Sequence, residues 1–183
     1  MLRHAQPTSP SAHKGRTLIT LLIMLLTAAT GWAWDGEGSK ISPYQIKNAS
    51  DLDQLAANVN SGKGDDGNYD EDAASGYSSK YFVLTANIEY DPNILTIDND
   101  NNGTMDSNYT PIGGARNFRG HFDGKGYTVS GIRIYRGGTD SGDNNQGLFG
   151  YIEGSTAEVK NVILADARIT GNNTTGGIVG KTR

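Results

Sequence analysis

The sequence predicts a mainly β fold, a parallel β-helix solenoid of about thirty residues per coil with one short capping helix near its start. Three observations carry this expectation. From Asn117 onward the chain matches itself, without gaps, at an offset of thirty positions. Short β-rich runs, YTVSGIRIY and AEVKNVILADARI, alternate there with Gly-rich corners and show no helical periodicity. Upstream, one segment near residues 50–60 has the apolar spacing of a helix.

Residues 1–33 read as a signal peptide rather than as part of the fold. Arg3, Lys14 and Arg16 form a basic lead, and TLITLLIMLLTAAT is an uncharged apolar run too short for a comfortable span. Cleavage is expected after Ala33, which leaves residues 34–183 as one exported domain without a membrane span. Processing removes those three bases and no acid from the 16 and 20 of the whole chain, so 13 bases and 20 acids remain, a charge of about −7. Such a chain suits a phosphate backbone poorly, which argues against nucleic acid as a partner. The absence of cysteine excludes a disulfide framework, thiol catalysis and thiolate metal sites.

The first expected element is the helix in NASDLDQLAANVNSG. Ser50 is placed to cap it with Asp53 at the third helical position, and Leu52, Leu55, Ala56 and Val59 line one face before Gly62 stops it. Residues 62–79 hold almost nothing apolar and read as a mobile loop. KYFVLTANIEY, residues 80–90, reads as one strand.

The thirty-residue offset then pairs Gly120 with Gly150, Gly124 with Gly154, Val129 with Val159, Gly147 with Gly177 and Gly150 with Gly180. Apolar class is kept between Phe122 and Ile152, Ile132 and Val162, Ile134 and Leu164, Leu148 and Ile178, and Phe149 and Val179. In a parallel stack this sets Val129 over Val159 and makes GHFDG and GYIEG equivalent corners of successive coils. The repeated glycines then serve tight turns and close stacking rather than chemistry. The third unit is only begun by GGIVGKTR, so a longer polypeptide with further repeats is expected.

The phrases PYQIKNASDLDQLAANVNSG, KYFVLTANIEY, TPIGG, FRGHFDGKGYTVSGIRI, GLFGYI, VKNVILADARITG and GGIVG, spread over residues 43–180, resemble the GLUG-motif proteins, named for a repeated Gly-Leu-any-Gly element. Gly147-Leu148-Phe149-Gly150 fits the motif, and Gly177-Ile178-Val179-Gly180 departs by Ile for Leu. The resemblance is to N-terminal modules of exported proteins in Gram-negative anaerobes. It implies a right-handed parallel β-helix in a long surface or secreted protein, such as haemagglutinin-like adhesins or the non-catalytic regions of IgA-cleaving metallopeptidases. It supplies no catalytic residue.

Few motifs invite chemistry. GGIVGKT lacks the first glycine of a phosphate loop, because position 175 is Thr, and no helix follows it. The processed chain keeps one histidine, His121, expected to face solvent, and it has no HExxH zinc signature. Catalysis is therefore not expected. Tyr127, Tyr135, Tyr151 and Arg133 are expected at the surface, where stacking and hydrogen bonding suit a glycan or a host protein. The functional expectation is a cell-surface or secreted adhesin or stalk; the alternative is the non-catalytic leader of a secreted peptidase or lyase whose active site lies beyond Arg183.

DNDNNGTMD offers a tentative calcium loop. Asp98, Asp100, Asn102, Thr104 and Asp106 fall at positions one, three, five, seven and nine, with Gly103 at six, but Tyr109 replaces the bidentate Glu at twelve. The other reading is a solvated Asx-rich loop. Calorimetric titration decides between them: heat at millimolar calcium that Asp98→Ala and Asp100→Ala abolish marks a weak structural site, and no heat marks the solvated loop.

Overall fold

Short strands laid in parallel register build the chain. The computed structural model describes residues 34–93, 107–138 and 141–183. In chain order the elements are β1 (Tyr44–Ile46), α1 (Ala49–Ser61), α2 (Glu71–Ala74), β2 (Tyr81–Leu84), β3 (Ile88–Glu89), β4 (His121–Asp123), β5 (Thr128–Ser130), β6 (Arg133–Arg136), β7 (Phe149–Ile152), β8 (Glu158–Lys160), β9 (Ile163–Ala165), β10 (Arg168–Gly171) and β11 (Val179–Thr182). The strands form sheets in the orders β1-β2-β4-β8, β3-β5-β9, β6-β10 and β7-β11. Every strand pair is parallel, and each later segment lies on an earlier one. The expected signal peptide and the five candidate calcium ligands lie outside the described residues.

Helix α1 forms where its apolar spacing predicts, and Leu52, Leu55, Ala56 and Val59 are buried. Its cap differs from the expectation. Asn48, not Ser50, is the N-cap, its side chain accepting from the Asp51 N–H at 3.0 Å, while the Asp51 carboxylate accepts from the Lys47 N–H at 2.8 Å. The Asn48 amide oxygen thereby satisfies a donor that the helix start leaves open, and the Asp51 carboxylate ties down the residue before the cap. Gly62 ends the helix in the left-handed conformation, φ 70°, as expected.

The helix is bolted to the segments between the strands by polar contacts. Asn60 donates to Pro111 O at 2.9 Å and accepts from the Ala115 N–H at 3.0 Å, and the Tyr90 hydroxyl donates to Asp53 at 2.8 Å. Beneath it the core is an aromatic spine. Phe82 meets Phe118 at 6.2 Å between ring centroids, Phe118 meets Phe149 at 5.2 Å and Phe149 meets Phe122 at 5.1 Å. All four rings are almost fully buried.

Two local expectations are corrected. Residues 62–79 are not a featureless loop: they contain α2, capped by Asp70, and bury Ala73 and Tyr77. Tyr77 packs edge-on against Phe82 at 5.2 Å and accepts from Asn58 through its hydroxyl, so two apolar anchors suffice to order a polar stretch. Residues 80–90 are not one strand. The chain turns a corner at Thr85–Asn87, which places β2 and β3 in different sheets, and Asn87 accepts from the Thr128 N–H at 3.0 Å in place of a backbone partner.

The thirty-residue register holds only at one place. Phe149 pairs with Val179 as expected, and Leu148 donates to Gly177 O at 3.0 Å. Val129, however, pairs with Leu164 rather than Val159, and Phe122 pairs with Val159 rather than Ile152. GHFDG and GYIEG are therefore not stacked equivalents: His121–Asp123 lies in the sheet of β8, whereas Tyr151 pairs with Lys181 in another sheet. Loop length explains the slip. The link from β6 to β7 runs through residues 137–148, and the corresponding link from β10 to β11 is only 172–178. The pairing offset consequently shrinks from 37 at Phe122 to 35 at Val129 and 30 at Phe149.

Close backbone packing is found at some of the repeat glycines, whereas Gly154 has open space beside it. A methyl group on Gly150 would meet Asn145 O at 2.6 Å and Gly114 Cα at 2.8 Å, and one on Gly180 would meet Gly150 O at 2.8 Å. Gly114, Gly150 and Gly180 thus form a column in which successive backbones touch, and Gly124 likewise abuts Asn161 O.

Gly150→Ala is expected to cost about 1–3 kcal/mol by overpacking, read as a lower denaturant midpoint at an unchanged m-value. A second expectation concerns Asp53, whose pKa burial raises above the ordinary carboxylate value, only partly countered by the Tyr90 hydrogen bond. An acid whose folded pKa is raised contributes stability below its unfolded pKa and loses it as pH rises through the folded one. Asp53→Asn, which keeps an acceptor for Tyr90, should raise Tm at pH 7 and leave it unchanged near about pH 3, where wild-type Asp53 is protonated in both states. Calorimetry across that range checks both ends.

Candidate functional site

Strand alternation decides what the β1-β2-β4-β8 sheet shows to solvent. Phe82, Leu84 and Phe122 point into the core, so Tyr81, Val83, His121 and Asp123 point out. Parallel register then lines up Tyr81, His121 and Glu158 in one row and Val83, Asp123 and Lys160 in the next. Lys40, Pro43 and Lys125 complete the walls of a groove of about 330 Å³.

Two of the residues that line the groove are aromatic and in contact. The rings of Tyr81 and His121 stack face to face, 4.2 Å between centroids and 8° between planes. His121 faces outward, as expected, and is partly covered while its ring stacks on Tyr81. Around this pair the charged groups are held in place. Asp123 accepts from the Lys125 N–H and from Asn161, both at 2.9 Å, and its carboxylate lies 3.1 Å from Lys125 Nζ. Burial opposes ionisation of Asp123, but those hydrogen bonds and the Lys125 charge outweigh it and hold the carboxyl below the ordinary range. Glu158 and Lys160 pair at 2.7 Å, and that bond raises the Lys160 pKa.

The arrangement can offer an aromatic surface for apolar contact, two carboxylates as acceptors and three ammonium groups as donors. A polar molecule with one apolar face fits such a surface better than a purely apolar one. A larger hollow of about 540 Å³ lies between Trp34, Tyr44 and Tyr77 and four aspartates, and its acids are already engaged. Asp65 accepts from Asn58, Asp66 from Asn68, Asp70 caps α2 and Asp72 pairs with Lys80 at 3.0 Å. Among the described residues no group of three or more His, Asp or Glu is placed to hold a metal ion.

The surface residues singled out from the sequence do not converge. Tyr127 precedes β5, Tyr135 lies on β6 and Tyr151 on β7, in three different sheets. Tyr127 and Tyr135 are exposed, while Tyr151 lies under Lys181, whose ammonium is 4.6 Å from the ring centre. Arg133 is buried rather than exposed. Its guanidinium donates to both Asp166 carboxylate oxygens at 3.0 and 2.9 Å, which neutralises a position that pairs directly with Arg168. Tyr109, at position twelve of the candidate calcium loop, is buried and donates to Leu148 O at 3.0 Å. The Tyr81–His121 pair escaped the sequence reading because the two residues are forty positions apart and meet only through strand register.

No protein-family model matches the chain, and no solved structure matches it. Among curated proteins it is similar to the halomucin of Haloquadratum walsbyi, 30% identical over 158 residues that cover 84% of the chain and 1% of halomucin. It is also similar to a protein described as a Gly-rich membrane protein in Evansella cellulosilytica, 36% identical over 136 residues, 74% of the chain and 12% of that protein. The chain thus spans a small fraction of the length of the curated relatives it matches. Among the described residues no helix is long and apolar enough to cross a membrane.

Proposed function

We propose that the chain is an exported, cell-surface β-helix module of GLUG type that binds glycan in the groove on β2, β4 and β8 and performs no chemistry of its own. The stacked Tyr81–His121 pair carries this reading. A sugar ring presents an apolar C–H face flanked by hydroxyls, and the groove presents an aromatic face flanked by fixed acceptors and donors.

Several observations support the wider proposal. Uniform parallel pairing in four sheets, with a glycine column between successive segments, is the packing a β-helix requires. The similarity to halomucin and to a Gly-rich membrane protein favours a place at or outside the cell surface. Asp123 and Glu158 are each committed to a lysine, which suits holding a ligand better than moving protons.

Affinity electrophoresis against a panel of polysaccharides tests the reading. Tyr81→Ala should weaken retention at least about tenfold, the loss of roughly 1.4 kcal/mol of stacking and buried area, with an unchanged circular dichroism spectrum. Retention that is equal in wild type and Tyr81→Ala, or absent for every polysaccharide, would falsify the groove as a glycan site. Release of reducing ends from any retained polysaccharide would replace binding by hydrolysis.

A further inference from the structure

We propose that the groove selects saccharides that carry an anionic group, a carboxylate or a sulfate ester, and that Lys40 receives that group. The inference rests on the glycan reading above and names the substrate class of the same groove.

The charge pattern singles out Lys40. Of the three lysines that line the groove, Lys125 and Lys160 each have an acidic partner from the same lining, at 3.1 and 2.7 Å. Lys40 is exposed and has no hydrogen-bond or ionic partner among the described residues. With the two internal pairs cancelling, Lys40 is the surplus charge of the lining. A local positive excess runs against the net charge of the chain, −4 for the whole sequence. An anionic polymer is repelled by such a protein at large and needs a local cation to be held at all.

The backbone turn that carries Lys40 is also tied to the Tyr81 strand. The turn that presents it is closed by the Glu37 N–H to Ser42 O bond at 2.9 Å and by the Ser42 N–H to the Ser39 hydroxyl at 3.1 Å. Gly38, two residues before Lys40, accepts from the Tyr81 N–H at 2.9 Å. The backbone of Tyr81 therefore anchors the turn that carries the cation. A sugar ring seated on Tyr81 and His121 lies beside that turn, and its anionic substituent faces Lys40 while Asp123 and Glu158 remain to accept from hydroxyls.

The test compares polygalacturonate, its fully methyl-esterified form and dextran sulfate on wild type, Lys40→Ala and Lys40→Glu. Wild type should bind an anionic polymer at least about tenfold more tightly than the neutral ester, with a preference that fades as salt rises. Lys40→Ala should erase the preference and leave ester binding unchanged, and Lys40→Glu should reverse it. Whether polygalacturonate or dextran sulfate gains more identifies the anionic group. Equal binding of acid and ester by wild type, or a preference that survives Lys40→Ala, overturns this inference while the glycan reading stands. No binding to any polymer overturns both.

Discussion

Parallel register between successive segments is the constraint on which everything else here depends. Strands of two to four residues cannot hold themselves, and each depends on the N–H and C=O groups of the segments it pairs with. Backbones must come close enough for those bonds at every tier. In the column of Gly114, Gly150 and Gly180 the approach leaves no room for a side chain at Gly150 or Gly180. The aromatic spine from Phe82 to Phe122 fills the space that this stacking encloses, so hydrogen bonding and burial reinforce one another.

The start of the stack needs a different solution, because the first tier has nothing beneath it. Helix α1 supplies one, turning Leu52, Leu55, Ala56 and Val59 onto the core. Its polar face reaches the segments between the strands through Asn60 and Asp53, which make fixed bonds rather than a sliding apolar contact. Trp34 adds a clasp from the lead segment, donating to Asp51 O at 3.2 Å and packing on Phe82. Placing an acid at such a junction fixes the helix at some electrostatic cost, since burial raises the Asp53 pKa and the Tyr90 hydrogen bond offsets only part of that rise.

Sequence legibility followed the range of the interaction concerned. The apolar stripe of α1 and its Gly62 stop are local, and they were readable. So was the register of Phe149 over Val179, because the corner between Gly147 and Gly150 recurs intact. The register of β4 and β5 was not, since links of unequal length between tiers shift the pairing while leaving each strand's pattern unchanged. The groove was hidden for the same reason. Tyr81 and His121 are ordinary residues in their own strands, and Arg133 looked like a free surface cation until Asp166 of the next tier was brought to it. Composition marks which residues alternate outward, but only tier-to-tier geometry tells which outward residues are neighbours.

The aromatic pair belongs to no single tier: Tyr81 comes from one segment and His121 from the next. In the binding mode proposed above, a polymer would therefore be attached across a seam of the protein. Pulling that peels one strand from its neighbour dismantles the grip at the same moment, whereas a ligand lying over both rings acts as a splint against peeling. If the groove holds a polymer as proposed, adhesion and mechanical integrity become the same quantity, set by the seam between β2 and β4.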